Sequence, residues 1–162
     1  MKTYLTNFDI SKKTIFILGG NGLIGNEIFK FCLNSNAKVV CIDIKKKKKF
    51  PNKKGVFFEK FDVSSLQNVD SFLKKIVNKY GPPTSFINAS YPKTKDWSRN
   101  SYKHIKLKSY LKNINIHMNS YIWIAKKIAD QMIKYKIKNG SIVLLSSIYG
   151  ILGQDLELYK NT

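Results

Sequence analysis

The chain has 162 residues, of which 43% are hydrophobic and 13% aromatic, so it can bury one core and form one domain. This apolar content argues against disorder. No apolar run approaches the ~18 residues of a membrane span, and the first residues lack the apolar stretch of a secretory signal, so we expect a cytoplasmic protein with no membrane partner.

The formal net charge of +19 raises the question of nucleic-acid binding. Only Arg99 among the 29 basic residues is an arginine, and arginine is the preferred residue for bidentate phosphate and guanine contacts. We therefore interpret the lysines as solvated surface and expect no specific nucleic-acid partner. The cysteines and histidines are too few and too scattered to predict a metal site: Cys32, Cys41, His104 and His117.

Strand-like and helix-like segments alternate along the chain. Buried strands are predicted at residues 14–18, 37–44, 56–61, 84–89 and 141–147. Helices are predicted at residues 23–33, from a capping box at residues 64–67 through Lys79, and at residues 107–138 with a break near residues 113–119. This order predicts a single α/β domain over residues 1–162, a doubly wound Rossmann-type parallel sheet in the order 3-2-1-4-5 with helices on both faces.

A glycine-rich turn, GGNGLIG at residues 19–25, joins the first strand to the first helix. Glycines in such a turn permit a tight bend, close approach of a phosphate, and close packing of helix on strand. The free N–H groups at the helix N-terminus attract anions. The turn residues predicted to bind a dinucleotide are Gly19, Asn21, Gly22, Leu23, Ile24 and Gly25.

Asp43 ends the second strand, 18 residues after Gly25, close to the ~20 expected for a carboxylate that binds the adenosine ribose. We expect Ile44 to lie beside the cofactor as well. The charge of Asp43 would repel the 2′-phosphate of NADP, so NAD is the preferred cofactor. The lysines at residues 45–49 leave NADP open, because one of them could reach a 2′-phosphate. The competing interpretation is that the glycines form an ordinary turn and Asp43 is a solvated loop acid.

Later motifs resemble those of the short-chain dehydrogenase/reductase superfamily, in the expected order. Asp62-Val63 resembles the pair that contacts the adenine, and Asn88-Ala89-Ser90 resembles the segment that lines the cofactor after the fourth strand. The glycine spacing at residues 19–25 has the form typical of the extended members. The resemblance implies a Rossmann fold, an NAD(P) cofactor, a small-molecule alcohol or carbonyl substrate and, for the full-length family, a homo-oligomer.

The segment Ser146-Ser147-Ile148-Tyr149-Gly150 resembles the family motif that contains the catalytic serine, which makes Ser147 the candidate. By the resemblance, this serine holds the carbonyl oxygen, and a helix asparagine positions a water relay. Asn115 fits the local sequence context of that asparagine and is our choice, whereas Asn119 fits the spacing back from Ser147.

The family's Tyr-x-x-x-Lys pair, which moves the hydroxyl proton while nicotinamide moves the hydride, is not found after Ser147. Tyr159 is near the usual spacing, but the printed chain stops at Thr162, one residue before its lysine would fall. We interpret Tyr159 as a loop residue, with a catalytic role as the alternative. Two pairs with the right internal spacing precede Ser147: Tyr91 with Lys95, and Tyr102 with Lys106.

We therefore expect a C-terminally incomplete domain whose fifth strand has an open edge, and an isolated chain that binds NAD poorly or not at all and turns nothing over. More loosely, residues 154–162 resemble a loop insertion in family members that modify sugars for surface glycans. The first functional hypothesis is an NAD(P)-dependent oxidoreductase lineage. The second is a non-catalytic dinucleotide-binding or scaffold module, and a basic nucleic-acid binder is the least favoured.

Overall fold

The apolar strands assemble into one parallel sheet. The computed structural model describes residues 9–101, 103–153 and 157. Each strand pairs in parallel with its neighbours, in the order β3-β2-β1-β4-β5. The predicted strand order is confirmed. The strands are β1 (Thr14–Leu18), β2 (Lys38–Asp43), β3 (Val56–Lys60), β4 (Ser85–Asn88) and β5 (Ser141–Leu144).

Helices follow the strands at the predicted places. They are α1 (Leu23–Asn34), α2 (Val69–Tyr80), α3 (Leu107–Ile114) and α4 (Ser120–Lys134). The expected break in the long helix is a π-helical turn, Asn115–Asn119, that joins α3 directly to α4. The last helix, α4, ends at Lys134 and not at the predicted Lys138. Within the described residues, no helix combines the length and the apolarity needed to cross a membrane.

Each face of the sheet has its own apolar cluster, because successive side chains of a strand point to opposite faces. Phe16 and Leu18 of β1 pack in the cluster formed with α2 and α4. Ile15 and Ile17 pack in the cluster formed with α1. The continuous apolar run of β1 is thus explained by burial on both faces.

The predicted capping box at residues 64–67 is wrong. Ser64 instead donates its backbone N–H and its hydroxyl to Oδ1 of Asp62, at 2.9 and 2.8 Å. This local side-chain turn competes with a helix cap. A single 3₁₀ turn (Leu66–Asn68) follows, and α2 begins only at Val69.

The outer strand β5 is exposed along its whole length and is shorter than the predicted residues 141–147. Ile142, Val143 and Leu144 keep 36%, 43% and 43% of their surface exposed. In the described part of the chain β5 pairs with β4 on one side, so its other edge is open, as expected.

A buried carboxylate fastens α2 to β3. Glu59 is 5% exposed and accepts hydrogen bonds from the hydroxyl of Tyr80 at 2.6 Å and from the ammonium groups of Lys75 and Lys79 at 2.9 and 3.0 Å. Burial alone would raise the pKa of Glu59, but these hydrogen bonds outweigh it and lower the pKa from 4.5 to about 2. Glu59 is therefore charged in the folded chain at neutral pH.

We predict that Glu59→Gln lowers the free energy of unfolding at pH 7 by about 2 kcal/mol. A carboxyl whose pKa is lowered on folding stabilises the fold above its ordinary pKa, and this contribution is lost as the pH falls from 4.5 toward 2. Urea denaturation of the unmodified protein and of the Glu59→Gln variant over this pH range measures the contribution. Glu27→Gln, which removes an exposed ion pair with Lys30, is the control and should change little. Equal losses in the two variants would contradict the assignment.

Candidate functional site

A cleft of about 870 Å³ opens at the carboxyl ends of the strands. It lies where the chain order reverses between β1 and β4, the place where open α/β sheets bind ligands, and its volume is typical of ligand pockets. Two of the residues predicted to bind the cofactor, Gly25 and Asn88, lie behind its wall. The remaining predicted residues line it: Gly19, Asn21, Gly22, Leu23, Ile24, Asp43, Ile44, Asp62, Val63, Ala89 and Ser90.

The glycine turn is packed too closely to admit side chains. Gly19 has φ +77°, and a Cβ there would lie 2.5 Å from the backbone of Ser90. A Cβ on Gly25 would lie 2.1 Å from the carbonyl oxygen of Gly19. Gly22 has more room, since its Cβ would lie 3.2 Å from that same oxygen. The first and last glycines therefore bring backbone segments together, while Gly22 keeps the lip of the cleft clear.

The start of α1 presents backbone donors at this lip. The N–H of Asn26 bonds to the carbonyl of Gly22 at 3.0 Å, which is the first turn of the helix. The N–H groups of Leu23, Ile24 and Gly25 precede that bond and have no partner within the helix. Leu23 and Ile24 line the cleft, and their side chains are 89% and 57% exposed. The arrangement provides the positive end of a helix dipole for an anion.

Asp43 is fixed by backbone groups on both of its carboxylate oxygens. Oδ2 accepts from the N–H of Asn21 at 2.9 Å, and Oδ1 accepts from the N–H of Ile44 at 2.7 Å. The side-chain amide of Asn21 in turn donates to the carbonyl of Lys45. The carboxylate therefore ties the glycine turn to the end of β2 and keeps lone pairs for further donors in the cleft.

The opposite wall follows β4. Asn88 is fully buried, and its Oδ1 accepts from the N–H and the hydroxyl of Ser90 at 3.1 and 2.6 Å. Its Nδ2 has no hydrogen-bond partner among the described residues. The hydroxyl of Tyr121 donates to the carbonyl of Ser90. Asn88 and Tyr121 thus hold this wall in place without lining the cleft.

The sequence prediction missed several residues that line the cleft. Lys112 and Ile116 lie four positions apart, so helical spacing places them on one face, but nothing in the sequence shows which face meets the cleft. The loop after β4 has no periodic signal. The missed residues are Leu18, Lys45, Lys46, Lys47, Phe61, Ser64, Tyr91, Pro92, Lys93, Thr94, Lys95, Lys112 and Ile116.

The catalytic candidates lie outside the cleft lining. Ser147 is exposed just after β5, and its Oγ accepts from the N–H of Tyr149 at 3.2 Å. Asn115 and Asn119 are both exposed in the π-helical turn, and the Nδ2 of Asn119 donates to Oδ1 of Asn115 at 3.1 Å. The two asparagines are thus hydrogen-bonded to each other, and their positions are equally compatible with the predicted role.

Two tyrosines considered above, Tyr102 and Tyr159, lie outside the described residues. Over the described ranges, no three His, Cys, Asp or Glu side chains are grouped so that they could hold a metal ion.

Comparison with known proteins agrees with this architecture. Residues 13–158 match the short chain dehydrogenase family. The chain is 27% identical over 161 residues to post-translational flagellin modification protein A of Campylobacter coli, covering 94% of this chain and 62% of that protein.

Solved structures show the same fold. A short chain dehydrogenase of Leptospira borgpetersenii with bound NAD⁺ is 19% identical, with a TM-score of 0.81, and the match covers 98% of this chain and 59% of that one. ElxO with bound NADP is 24% identical, with a TM-score of 0.74, and the match covers 91% of this chain and 60% of that one.

The matched fold and the family match together define the class: the chain belongs to the short chain dehydrogenase family. It spans about three fifths of the length of the relatives described above.

We predict that Gly25→Ala destabilises the fold by about 1–3 kcal/mol, because the new methyl group would overlap the carbonyl oxygen of Gly19. Chemical denaturation measures the change. Gly150→Ala is the matched control, since nothing lies within 4 Å of its added Cβ. If the Gly25 variant were as stable as the control variant, the close packing of the turn would be disproved.

Proposed function

We propose that this chain is the dinucleotide-binding part of an NAD(P)-dependent oxidoreductase that transfers a hydride between nicotinamide and an alcohol or carbonyl substrate. The observation that carries the proposal is the pairing, in one cleft, of free amides at the start of α1 with the fixed carboxylate of Asp43. The amides suit a diphosphate, and the carboxylate suits the two hydroxyl groups of a ribose.

The residues present fit such a cofactor. The amides of Leu23 and Ile24 would hold the diphosphate, and Gly22, which has no side chain, would let it approach. Ile44 and the Asp62-Val63 pair would border the adenine, next to Asp43 at the ribose. Ala89 and Ser90 would line the other wall. When bound, the cofactor supplies the hydride donor or acceptor, and the protein supplies position and charge.

The carboxylate of Asp43 favours NAD over NADP in this proposal. Both its oxygens are held by backbone N–H groups, so it cannot swing away from a ribose 2′-phosphate without breaking them. Lys46 and Lys47 are engaged elsewhere: Lys46 lies over the ring of Phe50, and Lys47 donates to Asn26 at 2.7 Å. Lys45 is the nearest lysine that remains for a 2′-phosphate.

The catalytic assignments belong to the same proposal. Ser147 would hold the substrate oxygen, and Asn115, with Asn119 as the alternative, would hold a water molecule. A polypeptide of these 162 residues has no Tyr-x-x-x-Lys pair after Ser147, so we expect it to turn nothing over. The loose sequence resemblance of residues 154–162 to sugar-modifying family members favours a sugar as the substrate class.

We predict weak, millimolar binding of NADH to the purified chain. Because residues 22–25 and 43–44 would contact the diphosphate and the adenosine in this proposal, their backbone amide NMR signals should shift as NADH is added. Gly22→Val, whose side chain would fill the lip, should abolish these shifts while the dispersed spectrum remains. Shifts scattered over the surface, or none, would contradict the proposal.

We predict that Asp43→Asn narrows the preference for NAD over NADP about tenfold, because it removes the charge that repels the 2′-phosphate. Competition of NAD and NADP against the NADH-induced NMR shifts measures the ratio. Asp130→Asn, which removes an exposed acid paired with Lys126 on α4, is the charge-matched control. An unchanged ratio in the Asp43 variant would show that this carboxylate does not face the 2′ position.

A further inference from the structure

A buried hydrogen-bonded clasp fixes the loop after β4 onto α3. The side-chain amide of Asn113 donates to Oγ1 of Thr94 at 3.0 Å, and its oxygen accepts from the N–H of Thr94 at 3.3 Å. Asn113 also donates to the carbonyl of Ser109 at 2.9 Å, and Asn100 donates to the hydroxyl of Ser109 at 2.8 Å. Thr94, Asn113 and Ser109 are each 8% exposed. A satisfied buried network of this kind holds one geometry.

The clasp places lysines together on one rim of the cleft. Lys93 and Lys95 flank Thr94 in the loop, and Lys112 precedes Asn113 on α3. All three lysines are exposed and line the cleft. Thr94 and Asn113 are hydrogen-bonded to each other, so the backbone of the lysines beside them comes together at the junction of loop and helix. The rim they form is called the lysine rim below.

Among the described residues, the lysine rim has three positive charges and one neighbouring acid, Asp96, so its net charge is positive. None of its three lysines forms an ion pair within the described ranges, whereas Lys75 and Lys79 are paired with Glu59. The acid nearest in sequence, Asp96, forms hydrogen bonds with the side chains of Thr94 and Ser109, and these hydrogen bonds lower its pKa. Its carboxylate is therefore part of the clasp. Like charges that line one cleft repel one another, and a bound anion reduces this repulsion.

The lysine rim and the glycine turn belong to different elements of the fold. The turn and Asp43 belong to the β1–α1 connection and the end of β2, whereas the rim belongs to the loop after β4 and to α3. Tyr91, which is 59% exposed, lines the cleft near the rim and is held edge-on by Trp97 and His117, with ring centroids 5.9 and 5.1 Å away. A flat ring beside fixed cations suits a ligand with an anionic group and an apolar or ring-shaped body.

We infer that the lysine rim is a binding site for the anionic group, a carboxylate or a phosphate, of the small-molecule substrate. The inference rests on the proposed oxidoreductase function and gives it a substrate class. Lys93, Lys95 and Lys112 bind the anion, Tyr91 contacts the body of the molecule, and the clasp at Thr94 and Asn113 is a positioning element.

Binding of citrate and of inorganic phosphate to the purified chain tests the inference, with backbone amide NMR shifts at residues 93–95 and 112 as the readout. The triple variant Lys93→Gln, Lys95→Gln and Lys112→Gln should weaken binding at these residues about tenfold or more. The control triple variant, with equal loss of charge at exposed lysines outside the cleft, should stay within about twofold. Its substitutions are Lys54→Gln, Lys74→Gln and Lys138→Gln. Stronger binding of citrate or of phosphate distinguishes a carboxylated from a phosphorylated substrate.

Any of three outcomes would overturn the inference. In the first, neither anion shifts the NMR signals of the rim residues, and in the second, both triple variants weaken anion binding equally. In the third, the rim variant weakens NADH binding at residues 22–25 as much as it weakens anion binding at the rim. The last outcome would assign the lysines to the cofactor. If the unmodified chain binds no NADH but does bind an anion at the rim, the proposed cofactor function is refuted and the anion site is not.

Discussion

The site depends on the bond between the carboxylate of Asp43 and the backbone of the glycine turn. That carboxylate accepts hydrogen bonds from Asn21 in the turn and from Ile44, the residue after β2, so the end of β2 and the start of α1 have one relative position. Gly19 and Gly25 also allow this close packing, because a side chain at either residue would overlap backbone atoms. In the proposed function, the amides at the start of α1 and the carboxylate of Asp43 would thereby be held at a fixed separation before a ligand binds, which would reduce the ordering cost of binding.

The second wall is fixed by different means. Asn88 and Tyr121 hold Ser90, and the bond between Thr94 and Asn113 holds the following loop on α3. The π-helical turn that follows α3 brings Asn115 and Asn119 into contact, so both asparagine candidates lie at one place on the long helix. One wall of the cleft is thus made of turns and strand ends, and the other is made of a polar loop that is hydrogen-bonded to a helix. We propose the first wall for the cofactor and the second for the substrate.

Sequence reasoning predicted the strand order and just under half of the cleft lining, because apolar runs, glycine spacing and strand-terminal acids are local signals with a direct physical cause. It erred at residues 64–67, where Asp62 competes for Ser64. It could not find the lysine rim, because a loop without periodicity reaches its place only through the contact of Thr94 with Asn113, 19 residues away in the chain. The choice between Asn115 and Asn119 depends on which side chain faces the substrate, and spacing alone does not determine it.

The most direct test of the account is a crystal structure of the chain soaked with NADH. The account predicts diphosphate oxygens within hydrogen-bonding distance of the amides of Leu23 and Ile24, ribose hydroxyls on the carboxylate of Asp43, and no phosphate on Lys93, Lys95 or Lys112. A diphosphate seated on those lysines, or an adenosine that does not touch Asp43, would contradict it.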